Sequence, residues 1–211
     1  MEASLFNSND LKTQLPQDKT AKPGARIRKT PKTVLSKARD SLQEAIGHLE
    51  QNEEIHFVSC SQWSTHDLVF HILEQIGPAE ITAATWSMSQ PAAEVILKYL
   101  MDGRITRLRL LLDWRVKVRT PKALQIARTA CADLRLTACH GKVCVIENDT
   151  MRVSIVGSAN FTNNPRIESG VISTHDSVAD FHREWLESEL AKANPFEVEL
   201  GRPKERVETE D

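Results

Sequence analysis

The sequence predicts an α/β protein built on a mixed sheet with helices on both faces. Three observations carry that expectation. From residue 54 to 138, short apolar, β-prone runs alternate with segments whose apolar positions recur at helical spacing. After Ala138 the rhythm changes to closely spaced β-runs, the pattern of a hairpin and its neighbour. The chain has 211 residues, 40% of them hydrophobic, which suits one domain with an ordinary core.

Between Lys12 and Arg39 nine lysines and arginines face the single acid Asp18, so residues 1–31, with Pro16, Pro23 and Gly24, read as a flexible basic arm. Val34, Ala38, Leu42, Ala45, Ile46 and Leu49 follow helical spacing, and predict an amphipathic helix over roughly 32–51 leading into the body at 54. Pro31 suits its first turn. Within the body, 54–60 reads as a strand, and Leu68, Val69, Ile72 and Ile76 share one face of a helix over 65–76. A strand at 80–87 precedes a helix that follows Pro91 and carries Ala92, Val95, Ile96 and Tyr99. A strand at 105–114 precedes a helix opened by Pro121, and 133–138 is the next strand. Residues 140–147 and 152–158 form a hairpin across a turn-prone Glu-Asn-Asp-Thr-Met segment. A strand at 167–173 and a final helix through Val178, Phe181, Trp185 and Leu186 complete the body at 193. Residues 194–211, rich in charge, read as a poorly ordered tail.

Bulk composition excludes several classes. With 27 Lys+Arg against 29 Asp+Glu, attraction to a polyanion must come from a local patch. No apolar run approaches the roughly 20 residues that span a bilayer. The first residues lack the basic-then-apolar order of a signal peptide. Cys60, Cys131, Cys139 and Cys144 show no Cys-x-x-Cys spacing and lie in apolar patterns, as reduced thiols of a cytoplasmic protein do. No cluster of carboxylates, Cys or His stands at metal-ligand spacing.

Chemistry concentrates in the hairpin region. In a strand over 140–147, His140 and Lys142 project from the same side, an imidazole beside an ammonium, which suits an anionic substrate. The next strand ends in Gly157-Ser158-Ala159-Asn160, where glycine allows close backbone approach and Ser158 and Asn160 offer neutral donors. Glu168 follows at the start of another strand, a carboxylate able to hold the second nitrogen of an imidazole and set its tautomer. Trp86 and Trp114 end strands whose carboxyl ends gather at the crevice of such sheets, where they suit core packing or a wall for a base or lipid chain. Trp63 suits packing, His66 and His71 read as ordinary helix histidines, Arg166 as a solvated surface residue, and Cys139 as packed on the face opposite His140.

These residues resemble the HKD motif of the phospholipase D superfamily. His140-x-Lys142, then Gly157-Ser158-x-Asn160, then Glu168 recur in that family's order, within about 140–172. One position departs, since Glu147, with Asp149 two residues later, stands where the family usually has Asp. The resemblance implies a phospholipase D-like mixed sheet, one motif per chain, and no metal or other cofactor. It implies attack by a neutral imidazole, a covalent phosphohistidine, and a second, protonated histidine at the leaving oxygen. With one motif in 211 residues, that second histidine must come from a homodimer, as in the small bacterial nuclease-type members. His140, Lys142, Asn160 and Glu168 would then be catalytic, with Gly157 and Ser158 on substrate. The basic arm favours nucleic acid, DNA first, as the partner, and no membrane insertion is expected. The alternatives are a degenerate nucleic-acid-binding scaffold, or a phospholipid phosphodiesterase of the same fold.

Overall fold

The computed structural model describes residues 24–27, 38–59, 63–163, 166–192 and 194–195. Among these, nine strands form one mixed sheet: β1 (Gly24–Ile27), β2 (Glu54–Val58), β3 (Ala79–Thr85), β4 (Ile105–Asp113), β5 (Asp133–Thr137), β6 (Val143–Glu147), β7 (Arg152–Gly157), β8 (Ser169–Ser173) and β9 (Asn194–Pro195). Their order across the sheet is β1-β2-β8-β7-β6-β3-β4-β5-β9. The helices are α1 (Ala38–Ala45), α2 (Thr65–Ile76), α3 (Gln90–Met101), α4 (Val116–Arg119), α5 (Pro121–Ala130) and α6 (Asp176–Lys192).

The change of rhythm at Ala138 marks a change of pairing. β3, β4 and β5 are parallel, joined by crossovers through α3 and α5, while β6, β7 and β8 run as an antiparallel meander. β6 pairs antiparallel with β3 and fuses the two parts.

Strand alternation then divides the core. Ile81 and Ala83 of β3, Leu108, Leu110 and Leu112 of β4, and Cys144 and Ile146 of β6 face one apolar cluster with α2, α3 and α5. Ala84, Leu111, Val143 and Val145, one residue out of phase, face a second cluster closed by Ala179, Leu186 and Leu190 of α6. Cys139 joins this second cluster, packed as its apolar context predicts. Helix starts follow local chemistry. Ser64 and Asp67 form a reciprocal capping box at α2, and Ser89 caps α3 with Pro91 in its first turn.

Three boundaries differ from expectation. β6 begins at Val143, so His140 and Lys142 precede the strand, because pairing with β3 stops at Ala84 and Val143. Residues 24–27, assigned to the arm, pair antiparallel with β2 in the register Ile27 to Ile55, and Asn194–Pro195, assigned to the tail, pair with β5. Both segments supply partners to strand edges that would otherwise expose unpaired backbone groups. The rest of the arm, most of the tail, Cys60 and the helix start before Ala38 lie outside the described residues.

Candidate active site

Strand register brings every candidate residue to one edge of the sheet. Thr85 of β3 is level with Leu112 of β4, Asp113 with Thr137 of β5, Ala84 with Val143 of β6, Val143 with Val156 of β7, and Gly157 with Gly170 of β8. The carboxyl ends of β3, β4, β5 and β7 therefore meet the amino ends of β6 and β8. His140, Lys142, Ser158, Asn160 and Glu168 all lie in the segments just beyond.

His140 is exposed, and Lys142 folds back onto it. The Lys142 ammonium donates to the His140 carbonyl oxygen at 2.7 Å and stands 3.4 Å from Nδ1 and 3.5 Å from Nε2 of the ring. The two near-equal distances place the cation between the ring nitrogens rather than on one of them. The Lys142 carbonyl accepts from Gly157 N–H at 3.2 Å, which ties the pre-strand segment to β7. Partial burial pushes the Lys142 ammonium below its usual value, while Cys139 and Glu168 act in the opposite sense.

Asn160 is oriented from β3. The Thr85 hydroxyl is shared between the Ser87 carbonyl at 3.0 Å and Asn160 Oδ1 at 3.2 Å, which turns the Asn160 oxygen toward β3. The loop is pinned further by Ser89 N–H to the Phe161 carbonyl at 2.9 Å and by Thr65 Oγ1 to the Ala159 carbonyl at 3.2 Å. Lys142, Gly157 and Ser169 meet Phe57, Ile155 and Phe161 around a mainly apolar cavity of about 20 Å³.

Two candidates make contacts other than those expected. The Glu168 carboxylate accepts a hydrogen bond from Ser158 Oγ rather than from His140, and Ser158 Oγ in turn accepts from Ser169 N–H at 3.1 Å. The hydroxyl proton of Ser158 is thus committed to closing the β7–β8 connection. Gly157 does allow a close approach, but of backbone: a Cβ there would stand 2.9 Å from the Ser169 carbonyl oxygen. Glu147 lies at the far end of β6. It accepts from Arg183 at 3.3 Å beside Arg152, and both arginines also pair with Asp180, so the acid ties the hairpin to α6.

Sequence reasoning missed Asp113 and Arg115. Asp113 is completely buried at the end of β4, and takes Arg115 through Nε at 2.6 Å and the terminal nitrogen at 3.0 Å. Its Oδ2 also accepts from Cys139 N–H at 3.2 Å. The guanidinium beside it holds the Asp113 carboxyl below its usual value despite burial. The signal was one acid closing the apolar run that ends the strand, Leu-Leu-Leu-Asp. Trp86 packs its ring 5.7 Å from that of His140, tilted by 58°. Among the described residues, no group of three or more His, Cys, Asp or Glu side chains could hold a metal ion.

No protein-family model matches the sequence, and no curated protein matches it significantly. Solved structures do. NucT from Helicobacter pylori aligns over 68% of this chain and 98% of its own, with a TM-score of 0.53 at 14% identity. The fold is phospholipase D-like. Nuc from Salmonella typhimurium, a phospholipase D family member, aligns over 61% of this chain and 88% of its own, with a TM-score of 0.49 at 16% identity. At such identities the likeness is one of backbone. What the phospholipase D-like fold explains is why residues 140, 142, 160 and 168, far apart in sequence, reach one sheet edge.

Proposed function

We propose that the chain is a phosphodiesterase that hydrolyses nucleic acid, DNA first, through a phosphohistidine at a site shared by two copies. The observation that carries this is the Lys142 ammonium 3.4 and 3.5 Å from the two ring nitrogens of the exposed His140, at the same end of the sheet as Asn160. A nucleophile and a fixed cation side by side are what attack on an anionic phosphodiester needs.

In the first step a neutral His140 nitrogen forms an N–P bond as the P–O bond to the leaving oxygen breaks. His140 of the second copy, protonated, gives its proton to that oxygen. Water then attacks phosphorus and yields a proton to the second histidine, the N–P bond breaks, and the first imidazole is regenerated. Lys142 and the Asn160 amide hold the non-bridging oxygens throughout, so positive charge at phosphorus comes from side chains and no metal is required. Glu168, whose charge favours the ammonium form of Lys142, keeps that cation in place. The dimer is required by stoichiometry: the reaction needs two histidines, and among the described residues none other contacts His140. The basic residues 12–39 favour a polyanionic substrate.

The test is cleavage of single- and double-stranded DNA, RNA and a small phosphodiester in excess chelator, by the full chain and by His140→Ala. Chelator-resistant cleavage lost in the variant supports the reading. Cleavage that needs magnesium and survives in His140→Ala would overturn it, and binding without cleavage by either protein would leave a scaffold. Light scattering checks the dimer, which a strict monomer with full activity would exclude.

A further inference from the structure

An aromatic and cationic ledge continues the site outward from His140. Trp86 lies against the imidazole, and its indole is also faced by two guanidinium groups, Arg119 at 4.7 Å and Arg115 at 5.5 Å from the ring centre. Arg115 is in turn 5.9 Å from the ring of Trp114. One continuous chain of contacts therefore leads from His140 through Trp86 and Arg115 to Trp114.

The members of this ledge differ in what they leave open. Trp86 is half-buried, covered by His140 and the arginines, and acts as the floor. Arg115 is occupied by Asp113. Arg119 is exposed and forms no ion pair with a described residue. Trp114 is 53% exposed, held at the carboxyl end of β4 by its N–H bond to the Thr137 carbonyl at 3.0 Å. An exposed indole and an exposed guanidinium, linked to each other through Arg115 and Trp86 at the edge that carries His140, are matched to a flat π-system attached to an anion. A nucleotide is such a group, with its base on the indole and its phosphate on the guanidinium. Lipid chains would leave the arginines unsatisfied. Duplex DNA hides its base faces, so only an unpaired strand can use Trp114.

We propose that Trp114 and Arg119 bind the nucleotide flanking the scissile phosphate, and that the substrate is therefore single-stranded nucleic acid. Placement of this subsite next to the reaction rests on the phosphodiesterase reading of His140, whereas the binding itself does not.

The experiment measures anisotropy of short labelled single-stranded DNA, single-stranded RNA and blunt duplex DNA on the full chain, in chelator and in a His140→Ala background that prevents turnover. Trp114→Ala should weaken single-strand binding by about 5- to 100-fold, while Trp114→Phe keeps most of it. Arg119→Ala should weaken binding and lower the salt slope by about one. Duplex affinity should not move in Trp114→Ala. With His140 intact, hydrolysis of bis(p-nitrophenyl) phosphate by the wild-type chain reports on the reaction separately from oligonucleotide binding. Unchanged single-strand binding in Trp114→Ala would overturn the proposal, as would an equal loss on duplex, or a loss on anionic phospholipid vesicles in place of the oligonucleotide. If the small diester is not cleaved at all, the catalytic reading of His140 fails, and the oligonucleotide measurements still decide the subsite.

Discussion

The buried carboxylate of Asp113 accepts a hydrogen bond from the backbone N–H of Cys139, one residue before His140, while holding Arg115 through three further bonds. Asp113 thereby joins the end of β4 to the segment bearing His140. Asp113→Asn keeps the shape but loses the charge that pairs with Arg115, and should lower stability at neutral pH by about 1–3 kcal/mol. Because the folded-state value lies below the ordinary 3.8, this stability is complete above 3.8 and lost as pH falls through the lower folded value. Denaturant midpoints against pH should show wild type losing stability in that acid range more steeply than the variant, and parallel curves would contradict the assignment.

Removing the side chains proposed for the reaction should separate chemistry from folding. His140→Ala and Lys142→Ala alter exposed or half-exposed side chains outside both apolar clusters, so melting temperatures should stay near wild type. Turnover of a phosphodiester should fall by at least about 10²- to 10⁴-fold in each. Activity retained in His140→Ala at wild-type level would remove it from the mechanism.

Two buried histidines on α2 should make the protein sensitive to mild acid. Burial lowers both His66, held by Ser64 Oγ at 2.9 Å, and His71, held by Gln75 at 2.8 Å, below the ordinary 6.5. The unfolded chain therefore takes up these protons first, and stability declines as pH drops below 6.5 until the lower folded values are passed. Urea midpoints should drop between neutrality and about pH 5, and His71→Gln should reduce that drop. A flat profile in wild type would show that neither histidine is linked to folding.

Gly157 offers a way to tell strand packing from substrate approach. A Cβ there meets the Ser169 carbonyl at 2.9 Å, so Gly157→Ala should destabilise by about 1–3 kcal/mol as β7 and β8 move apart. Calorimetry would show a lower melting temperature alongside any loss of activity. A raised KM with unchanged melting would instead assign the glycine to the substrate.

Much of the fold was legible because its signals are local. Apolar spacing marked α2 at its observed 65–76, Pro121 marked the start of α5, and the switch from long to short connections at Ala138 marked where parallel pairing gives way to antiparallel. The ends of β6 and β8 were less legible. A strand stops where its neighbour stops pairing, and His140 and Lys142 carry no residue-level sign that β3 has already ended.

The amino-acid sequence by itself determined the layered α/β body and nominated the candidates for chemistry, His140, Lys142, Asn160 and Glu168, by type and order. Tertiary structure alone decided their partners. It gave Glu168 to Ser158, sent Glu147 to the arginines at the opposite end of the hairpin, and set Trp86 between His140 and Arg119. The physical reason is range. Periodicity and turn chemistry act over a few neighbouring residues, whereas a hydrogen bond between Asp113 and Cys139 depends on two strands that meet only when the sheet has assembled.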